Sequence, residues 1–292
     1  MENKSVRYEP LPKWSELTYA GEKRLPPSVS PETGSWPMYF LRSSGKGRFT
    51  DSRRRAVNLD IAHPSTIDFA GEQLKEVKDT LNRLTETQIT IAKYWDAGPP
   101  TKQWTPIVDR LVDTYSVPAP QAARILAAVH AGISDTFVAT WYLKYSWQVP
   151  RPNQLDQELA TLLCTPYHPS YPAGHATVAG CTQVILSYFF PTQADRLEVL
   201  AKECAASRIY GGVHYPADCT EGLRLGRQIG SIAVDYLKNQ TDGDDKKIDK
   251  PITEHLPADL APPPYKQAIP YHYKTKCTSK RLTLAKKKKT KR

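Results

Sequence analysis

The sequence predicts an all-α fold. Apolar residues recur at three- and four-residue spacing in successive segments, and no stretch alternates strictly every second residue over five or more positions. Prolines and glycine pairs punctuate these segments at helix-length intervals. With 292 residues, 40% hydrophobic and 24% charged, the chain can bury a substantial core and reads as one large domain with tails.

Residues 1–60 are rich in Pro, Gly, Ser and Arg without sustained periodicity, and are expected to form an extended N-terminal arm laid over the body. The helical domain is expected over 61–240. Leu74, Val77, Leu81 and Leu84 mark a first helix, and the T-x-x-Q capping box at Thr85 to Gln88 opens a second, through Tyr94, which Gly98-Pro99-Pro100 ends. A third is expected from Thr105 to Tyr115. Pro118-Ala119-Pro120 then opens the longest helix, whose apolar face carries Ile125, Val129, Ile133, Phe137 and Trp141. It runs to Val149, where Pro150 and Pro152 stop it. Three more follow: Ala176 to Phe190, with His175 at its mouth; Gln193 to Tyr210, ended by Gly211-Gly212; and Asp218 to Lys238. Residues 241–273, with Pro262-Pro263-Pro264, read as a Pro-rich surface segment, and 274–292 as a basic tail.

The formal charge of +10 arises in that tail: 274–292 hold ten Lys/Arg and no Asp/Glu, so the remaining 30 basic and 30 acidic residues balance. Such a run stays solvated and disordered, and without interleaved aromatics it gives no reason to expect a specific nucleic-acid partner. The five cysteines, Cys164, Cys181, Cys204, Cys219 and Cys277, show no C-x-x-C pair and are odd in number, so they read as buried free thiols. The first thirty residues are charge-rich, without an apolar leader. Ile125 to Leu143 is broken by His130, Ser134 and Asp135, which makes it a core helix and not a membrane span. The expectation is a soluble cytoplasmic protein with no transmembrane segment; nothing in the sequence excludes a homodimer.

Three motifs carry the chemistry: K-x6-R-P at Lys144 and Arg151-Pro152, P-A-G-H at Pro172 to His175, and S-R-x5-H-x3-D at Ser207-Arg208, His214 and Asp218. Arginine offers a planar fork to two oxygens at once, and lysine adds a compact charge. Seven residues are nearly two helical turns, so Lys144 and Arg151 are expected on roughly one face, with Arg151 just past the helix stop where Pro152 fixes its backbone. Gly174 ahead of a helix lets backbone N–H groups approach the same oxygens, where the helix dipole favours an anion. His214 and Asp218, four apart, suit a carboxylate that fixes an imidazole tautomer. Three cations, two histidines and a helix start point to one bound oxyanion.

The set resembles the superfamily of vanadium-dependent haloperoxidases, bacterial non-specific acid phosphatases and type 2 phosphatidic acid phosphatases. The resemblance runs from Asp135 to Arg227 and implies a helical bundle of that type. It implies that Lys144, Arg151, Gly174 and Arg208 bind the oxyanion, that His175 is the acid/base, and that His214, oriented by Asp218, binds vanadium or attacks phosphorus. Asp135, Trp141 and Lys144 in a D-x5-W-x2-K arrangement, with S-R-I-x-x-G-V-H at Ser207 to His214, resemble the haloperoxidase branch, and His168 resembles that branch's halide-path position. Vanadate, hydrogen peroxide and halide are then the implied cofactor and substrates. The alternatives are a soluble acid phosphatase working through a phosphohistidine on phosphomonoesters without a cofactor, and a non-catalytic oxyanion binder. One position departs from the pattern: the family's serine is Ala173, which removes a hydroxyl donor worth about 1.5–3 kcal/mol to a charged group.

Overall fold

The computed structural model describes residues 7–45, 47–260, 262, 264–272 and 277–283. Its helices are α1 (Leu74–Asn82), α2 (Glu86–Trp95), α3 (Thr101–Thr114), α4 (Ala119–Trp147), α5 (Pro152–Leu155), α6 (Gly174–Phe189), α7 (Ala194–Tyr210) and α8 (Pro216–Leu237). The expected helices are present within a few residues of their bounds, and α5 is an addition. The capping box before α2 forms in full: Thr85 accepts from the Gln88 amide and Gln88 from the Thr85 amide.

Helix α6 lies at the centre, packed against α4, α7 and α8. Its approach to α8 is at backbone distance, because Gly222, Gly226 and Gly230 recur every fourth residue on the contact face. A Cβ at Gly226 would lie 1.9 Å from the Thr177 carbonyl. The same approach brings the start of α8 beside the start of α6, where the Ala173 amide donates to the Asp218 carbonyl (2.9 Å). Ile125, Val129 and Ile133 of α4 enter the main core and Phe137 packs against it, while Phe137 and Trp141 also lie near Gly174. Among the described residues one stretch, Ala119–Leu155, is long and apolar enough to cross a membrane; half of its most apolar window is buried inside the molecule.

Four expectations need correction. The arm contains a small antiparallel sheet in the order β1 (Leu41–Ser43), β2 (Phe49–Asp51), β3 (Ala56–Val57), with Leu41 opposite Asp51 and Phe49 opposite Val57. Strands of two and three residues are too short to show a two-residue period. Lys144 and Arg151 are not set by one helix face: α4 stops at Trp147, Gln148 turns left-handed (φ 55°), and Arg151, expected just past the helix stop, is the residue before α5. Cys164 and Cys277 form a disulfide across 113 residues, leaving Cys181, Cys204 and Cys219 free and buried. An odd count had hidden a single pair.

The fourth concerns the tail. Lys280 and Arg281 are not in a solvated run: the Lys280 amide donates to the Ala20 carbonyl, the Thr161 amide to the Lys280 carbonyl, and Arg281 Nη2 to the Leu162 carbonyl. A short segment is thus inserted between residues near Ala20 and Thr161, and its backbone polar groups gain partners that solvent would otherwise supply. The rest of the tail, 274–276 and 284–292, lies outside the described residues.

Candidate oxyanion site

The site is assembled where α4, the loop after α5, α6, α7 and α8 converge. Lys144 comes from the last turn of α4, Arg208 from the last turn of α7, and Gly174 and His175 open α6. His214 precedes α8, and Asp218 sits in its first turn. Lys144, Arg151, Arg208, His214 and Asp218 are buried; His168 and His175 are partly exposed.

The imidazole of His214 is fixed from both sides. Nδ1–H donates to Asp218 Oδ2 (2.8 Å), so the Nε2 lone pair is free to accept, and it takes a hydrogen bond from Arg151 Nη1 (2.9 Å). The same Asp218 oxygen accepts from the Ser170 hydroxyl and the Tyr215 amide (3.0 Å). This network holds the tautomer in which Nε2 can bond to an electrophile.

Donor by donor, the cations differ. Arg151 donates from Nε to the His168 carbonyl, from Nη1 to the Val213 carbonyl and His214, and from Nη2 to His168 Nδ1 (3.0 Å), so most of its fork is spent within the protein. Lys144 donates to the Pro169 and Ser170 carbonyls (both 2.7 Å), leaving one of its three protons. Arg208 gives Nη2 to Asp96 Oδ1 (2.8 Å), while its Nε and Nη1 are buried with no hydrogen-bond partner. Two orphaned guanidinium nitrogens are costly unless an anion meets them.

Gly174 adds to the same cradle. Unlike the packing glycines of α8, a Cβ there would meet only ordinary contacts, Trp141 Cζ3 at 3.5 Å and Phe137 Cε1 at 3.9 Å. Packing alone does not call for glycine at this position. Ala173, the residue before α6, has no side-chain cap to offer, so the first-turn N–H groups lack a side-chain oxygen. These donors fit a vanadate or phosphate group: cations, amides and one imidazole lone pair.

Charge sets the protonation states. Burial first, then the Arg151, Lys144 and Arg208 cations, hold the His214 imidazole well below its ordinary range. Burial followed by Arg208 does the same for His175, and burial followed by Lys144 for His168. Burial also lowers Lys144, with Arg151 adding to the effect, and brings Arg151 down to about 10, which leaves it charged at neutral pH. Asp218 is raised to about 6, because burial outweighs the Ser170 hydrogen bond and Lys144. His214 and Asp218 are therefore a neutral imidazole on a carboxylate at neutral pH, not an ion pair. Arg151, Arg208 and the amine of Lys144 face two carboxylates, Asp218 and Asp96.

Each residue anticipated from the sequence lies in or beside this cluster. The His168 ring lies tilted by 42° against Trp141 with centroids 4.8 Å apart, and His175 Nε2 donates to the Trp95 carbonyl (3.1 Å). Asp135 is absent from it: its carboxylate accepts the Tyr39, Phe40 and Leu41 amides and anchors the arm. Sequence reasoning missed Asp96 and Ser170. Asp96 is 112 residues from Arg208 and follows α2 without a motif of its own, so no local signal marks it.

Residues 123–242 match the PAP2 superfamily. Over 104 residues, 26% of this chain, the sequence is 34% identical to a vanadium-dependent bromoperoxidase of Corallina pilulifera, of which the match takes in 17%. Over 74 residues, 25% of this chain, it is 35% identical to a decaprenylphosphoryl-5-phosphoribose phosphatase of Mycobacterium tuberculosis (strain ATCC 25618 / H37Rv), of which 41% is matched. Among solved structures, a bacterial vanadium-dependent iodoperoxidase superposes with a TM-score of 0.60 and 23% identity, covering 75% of this chain and 60% of that one. The holo form of a bacterial vanadium-dependent chloroperoxidase gives 0.58 at 17% identity, covering 80% and 61%. Motifs, helical fold and family match agree that residues 123–242 form a PAP2 superfamily domain.

Proposed function

We propose that this chain is a haloperoxidase-like enzyme that oxidises halide with hydrogen peroxide at a vanadate held by His214. The observation that carries the reading is the buried cluster in which Arg208 keeps two unpartnered nitrogens beside an imidazole whose tautomer Asp218 fixes. Vanadate, when bound, supplies a Lewis-acidic centre for peroxide activation. His214 would hold it through Nε2, and Arg208, Lys144 and the first-turn amides of α6 would hold its oxygens. Arg151, now on His214 Nε2, would release that lone pair as an oxyanion replaced it. His175 has its Nε2 proton on the Trp95 carbonyl, so the base it offers is Nδ1. The Trp141–His168 ring pair forms a partly exposed wall beside the cluster, suited to halide approach.

A second reading, phosphomonoester hydrolysis, is favoured by the same His214–Asp218 pair and the phosphatase match. In it His214 Nε2 attacks phosphorus as the P–O bond breaks, and the alcohol leaves with a proton that His175 Nδ1 takes up when the anionic substrate binds; water, giving a proton back to Nδ1, then cleaves the phosphohistidine. One comparison separates the readings: bromide oxidation by peroxide with added orthovanadate, against hydrolysis of p-nitrophenyl phosphate without it, for wild type and His214→Ala. Orthovanadate-dependent bromide oxidation lost in the variant is the expected result. Hydrolysis alone would favour the phosphatase, and anion binding with neither turnover a non-catalytic binder.

A further inference from the structure

A cleft of about 490 Å3 reaches the surface beside the oxyanion cluster, lined in part by Lys93, Tyr94, Asp96, Tyr265, Gln267 and Arg281. Asp96 links the two spaces, since the carboxylate that lines the cleft also bonds Arg208.

The lining has a distinct chemistry. Lys93 and Arg281 are exposed, and neither has a carboxylate partner among the described residues, while the charge of Asp96 is matched by Arg208. Two cations on one cleft repel each other mildly in water, and an anion between them reverses that cost. Arg281 is held in place: Nη2 donates to the Leu162 carbonyl, and the Cys164–Cys277 disulfide, also in the lining, ties its segment to the body. The walls are aromatic, with the Tyr94 and Tyr265 rings edge to face at 5.7 Å. Gln267 braces them by donating to the Tyr94 carbonyl (2.8 Å).

We propose that this cleft binds the organic body of an anionic substrate, a planar aryl group carrying a carboxylate that Lys93 and Arg281 recognise. The assignment of the cleft to a substrate rests on the function proposed above, but the binding it describes is measurable without turnover. The test is calorimetric titration with 4-hydroxybenzoate and with its neutral isostere 4-hydroxybenzamide, on wild type, Lys93→Glu and Arg281→Gln, with far-UV circular dichroism confirming the fold. Wild type should prefer the acid by about tenfold, the combined effect of two partly exposed charges, and each variant should lose much of that preference. Lys93 is exposed, so Lys93→Glu keeps the test valid if Arg281→Gln disturbs its segment. Equal binding of the two compounds, no binding of the acid, or a preference untouched in folded variants would overturn the proposal. If the preference holds but neither bromide oxidation nor hydrolysis occurs, the cleft stands and the proposed function falls. Turnover without discrimination gives the converse.

Discussion

At the scale of single residues, the site is a balance between orphaned donors and neutral imidazoles. Ala173 stands where the resemblance calls for serine, and it leaves the first turn of α6 without a hydroxyl. Ala173→Ser should tighten orthovanadate binding by roughly ten- to a hundredfold, the worth of one hydrogen bond to a charged group, measured by equilibrium titration; unchanged affinity would separate Ala173 from the oxyanion. Proton linkage gives a second prediction. Cations and burial hold His168, His175 and His214 neutral, and a bound anion offsets the cations, so the bound state carries higher histidine pKa values and takes up protons. Sulfate, whose charge is constant over this range, should therefore bind more tightly as pH falls from about 8 to about 6. Calorimetry in two buffers of different ionisation heat should register proton uptake, and heats independent of buffer would refute it. In the anion-free protein the sign for stability is opposite: unfolded imidazoles protonate near pH 6.5 while the folded ones resist, so stability falls as pH drops through that value.

At the scale of elements, two contacts set the positions of the motifs. The glycine face of α8 lets it meet α6 backbone to backbone, which brings Asp218 beside Ala173. Gly226→Ala would force a Cβ against the Thr177 carbonyl and should cost about 3 kcal/mol or more by overpacking, seen as a lowered urea midpoint together with weakened orthovanadate binding. Asp135 of α4 is the second contact. Its pKa is raised by burial, against the three arm amides it accepts, and it sets the approach of the arm to that helix. Asp135→Ala would strand those amides at about 3–5 kcal/mol, with protease cleavage near Tyr39 to Leu41 as the readout. If the arm stayed resistant, other contacts would be holding it.

At the scale of the whole molecule, the Cys164–Cys277 disulfide joins the C-terminal segment to the loop before α6 across 113 residues. Loop-closure entropy makes such a bridge worth about 2–5 kcal/mol. Cys277→Ser should lower the urea midpoint accordingly and remove its dependence on reductant; an unchanged midpoint would show the segment held by its hydrogen bonds alone. The helices were legible because amphipathic spacing, the Thr85 cap and the proline stops act within a turn or two of chain. The site chemistry was legible because Lys144, Arg151, His175, Arg208, His214 and Asp218 keep recognisable spacings. The sequence by itself determined that an all-α body carries these groups. Tertiary structure alone decided that Arg208 keeps free donors while Arg151 spends its own, that Asp96 shares Arg208, that Asp135 anchors the arm, and that two cysteines pair. Each of these depends on atoms brought within a few ångströms from positions far apart in the chain, and local pattern carries no record of such meetings.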